Sequence, residues 1–175
     1  VKDLLLLSSL ETKTRPRPQD SFSLLQLLSE IRNDTQQIFA KKSHDFRLDC
    51  NEELQFLGER GELYSAISNL VNNAAKYTAA ESTIMVSAQN SEAGLDIVIR
   101  DNGIGIESQH LPRLTERFYR VDVSRSSETG GTGLGLAIVK HIVGRHDGEL
   151  NIESEVGKGS SFICHFPHNR VKLEA

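Results

Sequence analysis

The chain has 175 residues, 38% of them hydrophobic, enough to bury one core with a short appendage at one end. Its formal charge of -4 offers no basic field for gripping a phosphate backbone, which argues against nucleic acid as the partner. The two cysteines, Cys50 and Cys164, sit in no CxxC pattern and suggest neither a zinc site nor a disulfide framework, and no apolar run reaches the roughly 18 residues of a membrane span.

The chain starts without Met and in the middle of a helical pattern, as expected of a piece of a longer protein. Leu4, Leu7 and Leu10 are spaced for a helix, and the reading gives residues 1–12 as the last turns of one. Pro16 and Pro18 cannot both continue it, so 13–19 reads as a linker, 20–168 as the main domain and 169–175 as a tail. Ser21 or Ser23 would cap a helix over 22–41 whose packed stripe is Leu24, Leu27, Leu28, Ile31 and Ile38. Phe46 and Leu48, then Leu54 and Phe56, alternate with polar neighbours and predict two short strands paired around the turn 51–53. A second helix is predicted over 60–78, followed by a hairpin of IMVSAQ and LDIVIRD. The stretch from 103 to 132 is a long loop holding one weak helix, ESQHLPRLTERF. A helix over 133–145 and the strands ELNIES and SSFICHF close the chain. Helices and strands segregate, so the expected fold is an α/β (α+β) sandwich with helices on one face of a mixed sheet.

On the helix over 60–78, Leu63, Ile67, Leu70, Val71 and Ala74 form one face. Asn69, Asn73, Lys76 and Tyr77 fall within an arc of roughly 100° beside it. Unsatisfied buried amides cost on the order of 1–3 kcal/mol each, so such a stripe should line a wet cleft. Amide oxygens are hard, neutral ligands suited to Mg2+, which shares its other positions with water and substrate phosphates, and Asn73 is the better candidate ligand. By itself NxxxN is an ordinary solvated helix face. The sequel changes its weight.

The strand LDIVIR runs into Asp101-Asn102-Gly103-Ile104-Gly105. A carboxylate there can accept from an exocyclic amine such as adenine's, and Gly103 and Gly105 let backbone pass close to a base; alone, the same residues are an ordinary turn. The second box, Gly130-Gly131-Thr132-Gly133-Leu134-Gly135-Leu136, opens a helix, and free N–H groups at a glycine-rich helix start favour a polyphosphate. No GxxxxGK[ST] is present and neither cluster gives GxGxxG in register, which removes the P-loop and Rossmann readings. A third box, Gly157-Lys158-Gly159-Ser160-Ser161-Phe162, reads as a hairpin turn.

In this order the pieces resemble the ATP-binding domain of sensor histidine kinases, part of the superfamily that includes gyrase B, the Hsp90 chaperones and the MutL proteins. NLVNNAAKYT matches the N box, DNGIG the first glycine box, ERFYRVD the F box, GGTGLGL the second glycine box and GKGSSF the last. VKDLLLLSSLE resembles the end of the second helix of the dimerisation and phosphoacceptor domain, and HLPRLTERFYRVD and GLAIVKHIVGRHDGELNIESEVGKGS look closest to phosphate-regulon sensors.

The resemblance implies a Bergerat-type ATP-binding fold with ATP and Mg2+ as ligands. Asn73 would coordinate Mg2+ with Asn69 in support, Lys76 and Tyr77 would meet phosphate and the adenine or ribose, and Asp101 would read the adenine amino group. Gly103 and Gly105 would belong to the nucleotide-binding set, and Gly103 to Gly133 would form the ATP lid, anchored by Phe118. Arg117 or Arg120 would reach the γ-phosphate or the partner domain. Gly131, Thr132, Gly133, Leu134 and Gly135 would wrap the triphosphate. The implied partners are the protein's own dimerisation and phosphoacceptor domain, in a homodimer, and a PhoB-like response regulator. The implied location is the cytoplasmic side of a bacterial inner-membrane sensor.

Two departures stand out. Ser161 replaces the family's frequent Thr, and no histidine qualifies as phosphoacceptor: His44 and His146 precede an Asp but lie at a strand start and a helix end, and His110, His141, His165 and His168 have no acid directly after them. The expected activity is therefore transfer of the ATP γ-phosphate to a histidine outside this chain. The alternatives are a nucleotide-regulated module controlling response-regulator phosphatase action, and an ATPase clamp needing a general base, for which Glu62 is the nearby acid.

Overall fold

The computed structural model describes residues 1–16, 20–122 and 131–174. The elements are α1 (Lys2–Thr12), β1 (Ser21–Ser23), α2 (Leu24–Ile38), β2 (Asp45–Cys50), β3 (Leu54–Leu57), α3 (Arg60–Tyr77), β4 (Thr83–Ser91), β5 (Gly94–Asp101), α4 (Gly135–Arg145), β6 (Glu149–Glu155), β7 (Gly159–Phe166) and β8 (Val171–Leu173). Single 3-10 turns lie at Ala40–Lys42, Leu111–Arg113 and His168–Arg170.

Five strands form a mixed sheet in the order β2-β4-β5-β7-β6, with β2 parallel to β4 and every other pair antiparallel. Alternation along each strand sets which face is dry. Ile84, Val86 and Ala88, Leu95, Ile97 and Ile99, and Phe162, Cys164 and Phe166 are buried, while the residues between them are partly exposed. Helices α2, α3 and α4 cover that one face, as the sequence predicts for a sandwich. Ser23 caps α2, its hydroxyl accepting from the Gln26 N–H at 3.2 Å. Glu59 caps α3 through the Gly61 and Glu62 N–H groups.

The pairing expected around 51–53 is corrected. β2 lies beside β4 in the main sheet, while β3 joins β1 and β8 in a separate antiparallel sheet of order β1-β3-β8. The turn itself forms, but the burial of Phe56 sends the chain elsewhere. Its ring packs on Phe22, Phe166 and His146 at centroid distances of 5.7, 4.9 and 5.7 Å. Alternation identifies a strand without naming its neighbour.

Three further expectations change. The helix over 22–41 is α2 followed by a 3-10 turn, with β1 ahead of it. The weak helix in ESQHLPRLTERF is reduced to the 3-10 turn Leu111–Arg113, since Leu114 is its one buried apolar residue and cannot offset the cost of nucleation. Residues 169–175 include β8, and Arg170 is buried. No helix among the described residues is long and apolar enough to cross a membrane.

Candidate functional site

The α3 stripe differentiates its asparagines. Asn72 belongs to packing, its Oδ1 accepting from the Thr35 hydroxyl of α2 at 2.9 Å. Asn69 donates from Nδ2 to the Ser65 carbonyl at 2.8 Å, which fixes its amide and points Oδ1 towards the start of α4, 3.0 Å from where a Cβ on Gly135 would sit. Asn73 is half-buried and its amide bonds no protein atom among the described residues. One turn on, Lys76 Nζ lies 5.3 Å from the ring centroid of Tyr77, itself exposed, and 3.0 Å from the Cβ position of Gly131. The second glycine box therefore runs across the amide stripe, and side chains at Gly131 or Gly135 would crowd it.

At the end of β5, Asp101 Oδ1 accepts from the Gly103 N–H at 2.9 Å. Burial pushes the carboxyl's pKa up, against the N–H groups of Gly103 and Ser160, which favour the anion. A Cβ on Gly103 would meet the Thr78 methyl at 2.8 Å, so this box presses on the end of α3. Gly105 has φ +75°, and a Cβ there would lie 2.1 Å from the Glu155 carbonyl oxygen. The β6–β7 turn thus supports the first box backbone to backbone, with the Gly157 N–H donating to the Ile104 carbonyl at 2.8 Å.

The described ends of the 103–133 segment meet at the second box. The Phe118 N–H donates to the Gly133 carbonyl at 2.9 Å, and both residues have positive φ. Phe118 is tied there by its backbone, while its ring is 61% exposed. Arg120 donates to the Gly131 carbonyl. Leu134 is buried, and its N–H donates to the Thr132 hydroxyl at 3.3 Å. Gly130, the first residue of the box, lies outside the described residues. Arg117 is not gathered with the others: it pairs with Glu11 of α1, as Thr132 pairs with Asp3 at 2.9 Å.

Sequence reasoning overlooked Arg145. It is 7% exposed, holds both carboxylate oxygens of Glu62 at 2.9 and 3.0 Å, and donates to the carbonyls of Leu10, Lys13 and Thr14. No local signal marks it, because its partners lie 83 to 135 positions away. The same bonds occupy Glu62, which is not free to activate water.

The arrangement offers neutral amide oxygens, one ammonium, the N–H groups of a glycine-rich helix start and one carboxyl at a glycine turn. No three His, Cys, Asp or Glu side chains cluster for a metal among the described residues. A hard cation held by Asn73 would thus take its other ligands from water and phosphate, which fits Mg2+ bound with a nucleotide.

The chain is similar to known proteins in sequence and in fold. The family model for histidine kinase-, DNA gyrase B- and HSP90-like ATPases matches residues 58–170. The phosphate regulon sensor protein PhoR of Pseudomonas aeruginosa is 51% identical over 171 residues, covering 98% of this chain and 39% of that protein. The PhoR of Haemophilus influenzae is 42% identical over 165 residues, 94% of this chain and 38% of that protein. This chain thus spans about two fifths of the length of these relatives. Among solved structures, the mycobacterial sensor histidine kinase MprB superposes with a TM-score of 0.74 at 25% identity, over 85% of this chain and 96% of that one. With the fold, the boxes and these relatives in agreement, the chain belongs to the histidine kinase-, DNA gyrase B- and HSP90-like ATPase family.

Proposed function

We propose that this chain is the ATP-binding catalytic part of a two-component sensor histidine kinase. It transfers the γ-phosphoryl group of Mg·ATP to a histidine on the protein's own dimerisation and phosphoacceptor domain. From there the group passes to a PhoB-like response regulator in phosphate-starvation signalling. The observation that carries the reading is the apposition of the amide stripe and the second glycine box, with Asn69 Oδ1 and Lys76 Nζ each 3.0 Å from a glycine's Cβ position.

In this reading Asn73 holds Mg2+ through its amide oxygen, Asn69 supports it, and Lys76 and Tyr77 face phosphate and the base or ribose. Asp101 accepts from the adenine amino group, and Gly103 and Gly105 admit the ring. Gly131, Thr132, Gly133, Leu134 and Gly135 present the helix start to the triphosphate. Arg120 at the lid base, and Arg117 once exchanged from Glu11, meet the γ-phosphate or the acceptor domain. Bound Mg2+ neutralises phosphate charge, and the protein contributes positioning rather than a covalent step. The whole protein is read as a homodimer in the bacterial inner membrane with this part on the cytoplasmic side.

Equilibrium ATP binding with and without Mg2+ tests the site. Asn73→Ala should abolish the Mg-dependent part, and Asp101→Asn should weaken discrimination of ATP from GTP. Ordinary ATP affinity and selectivity in both variants would overturn the assignment. The clamp alternative predicts rapid hydrolysis without a histidine-bearing partner, which the burial and double pairing of Glu62 disfavour.

A further inference from the structure

Helix α3 ends without a glycine or a backbone cap. Its C-cap Thr78 has φ -108° and ψ 154°, and the orphan carbonyls of the last turn are taken by side chains instead. The Thr78 hydroxyl donates to the Ala74 carbonyl at 2.7 Å. Lys42, from the 3-10 turn after α2, spends all three ammonium protons on the carbonyls of Ala75, Lys76 and Thr78, at 2.8, 2.9 and 2.9 Å. A cation is also the favoured charge at the negative end of a helix. Since Thr78 donates to Ala74, its oxygen accepts from His44 Nε2–H at 2.9 Å. Backbone closes the junction, the Glu81 N–H donating to the Lys42 carbonyl at 2.8 Å and the Asp45 N–H to the Ser82 carbonyl at 2.9 Å.

This junction adjoins the site on two sides. Its last helical turn carries Lys76 and Tyr77, and the Thr78 methyl is the surface against which Gly103 is pressed. The α3–β4 connection also reaches the first glycine box directly, because the Thr83 N–H donates to Asn102 Oδ1 at 3.0 Å.

We infer that Lys42 is a positioning residue for the nucleotide site, a side-chain cap contributed from outside every motif that fixes the end of the asparagine helix, so that Lys76, Tyr77 and the Thr78–Gly103 contact are held where a nucleotide needs them. The inference rests on the ATP reading above. Lys42 touches no nucleotide; it acts through the carbonyls it bonds. Lys41, its exposed neighbour, has no side-chain bond among the described residues and serves as the control.

The test compares ATP affinity and residue-resolved amide exchange in the full chain, its Lys42→Met, Lys42→Arg and Lys41→Met variants, at a temperature where each is folded by circular dichroism. Methionine keeps the apolar stem and removes the donors. Lys42→Met should bind ATP roughly tenfold more weakly, a loss of about 1.4 kcal/mol. Exchange should quicken across residues 74–79 while β5 and β7 stay protected. Lys42→Arg should recover most of the affinity, and Lys41→Met should match the parent. If the parent does not bind ATP, the function proposed above fails. If the parent binds and Lys42→Met binds equally, or loses affinity only with uniform loss of protection through β5 and β7, the positioning role is overturned. Should Lys42→Met not fold, Thr78→Val removes one cap and keeps the methyl: a threefold or greater loss with the same local exchange supports the junction, and parental affinity overturns it.

Discussion

His44 and His146 are held neutral by their surroundings, burial being the largest cause in each case. In His146, Nδ1–H donates to the Ile142 carbonyl at 2.8 Å and bare Nε2 accepts from the Glu59 N–H at 3.2 Å, so a second proton would face a donor. In His44, Nε2–H is committed to Thr78, and the bare Nδ1 is buried without a partner among the described residues, with the Lys42 ammonium disfavouring a charge. Both folded-state pKa values therefore lie below the 6.5 of an unfolded histidine. Below pH 6.5 the unfolded chain binds more protons than the folded one, so these two groups favour unfolding progressively until their depressed values are passed. Urea midpoints should fall between pH 7 and pH 5.5, and His44→Gln with His146→Gln should flatten that segment of the profile. The sequence excludes both histidines as phosphoacceptors by position, but their neutrality comes from neighbours that only the fold supplies.

At the scale of elements, α1 has 11 residues and is too short to be stable alone. Leu7 and Leu10 dock it on α4, and Arg145 takes the carbonyls at and beyond its C-terminal end. Glu62, in the first turn of α3, completes the buried pair, so one guanidinium joins α1, α3 and α4. Arg145→Met leaves a carboxylate and three carbonyls without their partner, and should cost about 3–5 kcal/mol, read as a shift in urea midpoint at constant m. Adding Glu62→Leu should restore part of the loss, since the stranded charge is then gone. Exchange protection in α1 should be lost in Arg145→Met before that of the main sheet. Helix α1 was legible from the spacing of Leu4, Leu7 and Leu10, and α3 from its longer stripe. Strand β8 was not legible, because three residues carry too little pattern and are ordered by pairing with β3.

At the scale of the molecule, the proposed function makes the chain the nucleotide half and places the acceptor histidine outside it. Five of its six histidines are buried or bonded, His141 on α4 being the sixth: His44 and His146 are buried, His110 bonds the Tyr119 hydroxyl at 2.5 Å, His165 bonds Asp96 at 2.7 Å, and His168 bonds the Glu92 carbonyl. Incubated with labelled Mg·ATP, the chain should carry no acid-labile phosphate, whereas a supplied phosphoacceptor domain should become labelled in trans; label on the chain's own histidines would contradict the proposed division of labour. The glycine boxes, the asparagine stripe and the layered class were all present in the sequence, because each rests in part on local requirements: φ beyond +20° at Gly105 and Gly133, a 3.6-residue period, alternation along a strand. The tertiary structure alone decided that β2 and β3 part into different sheets, that Asn72 packs while Asn73 stays open, and that Arg117 turns to α1. It also brought Lys42, from outside every motif, and Arg145, from outside the glycine boxes, to brace α3 at its two ends. Partner choice depends on which surfaces meet across tens of residues of chain, and no local pattern encodes that distance.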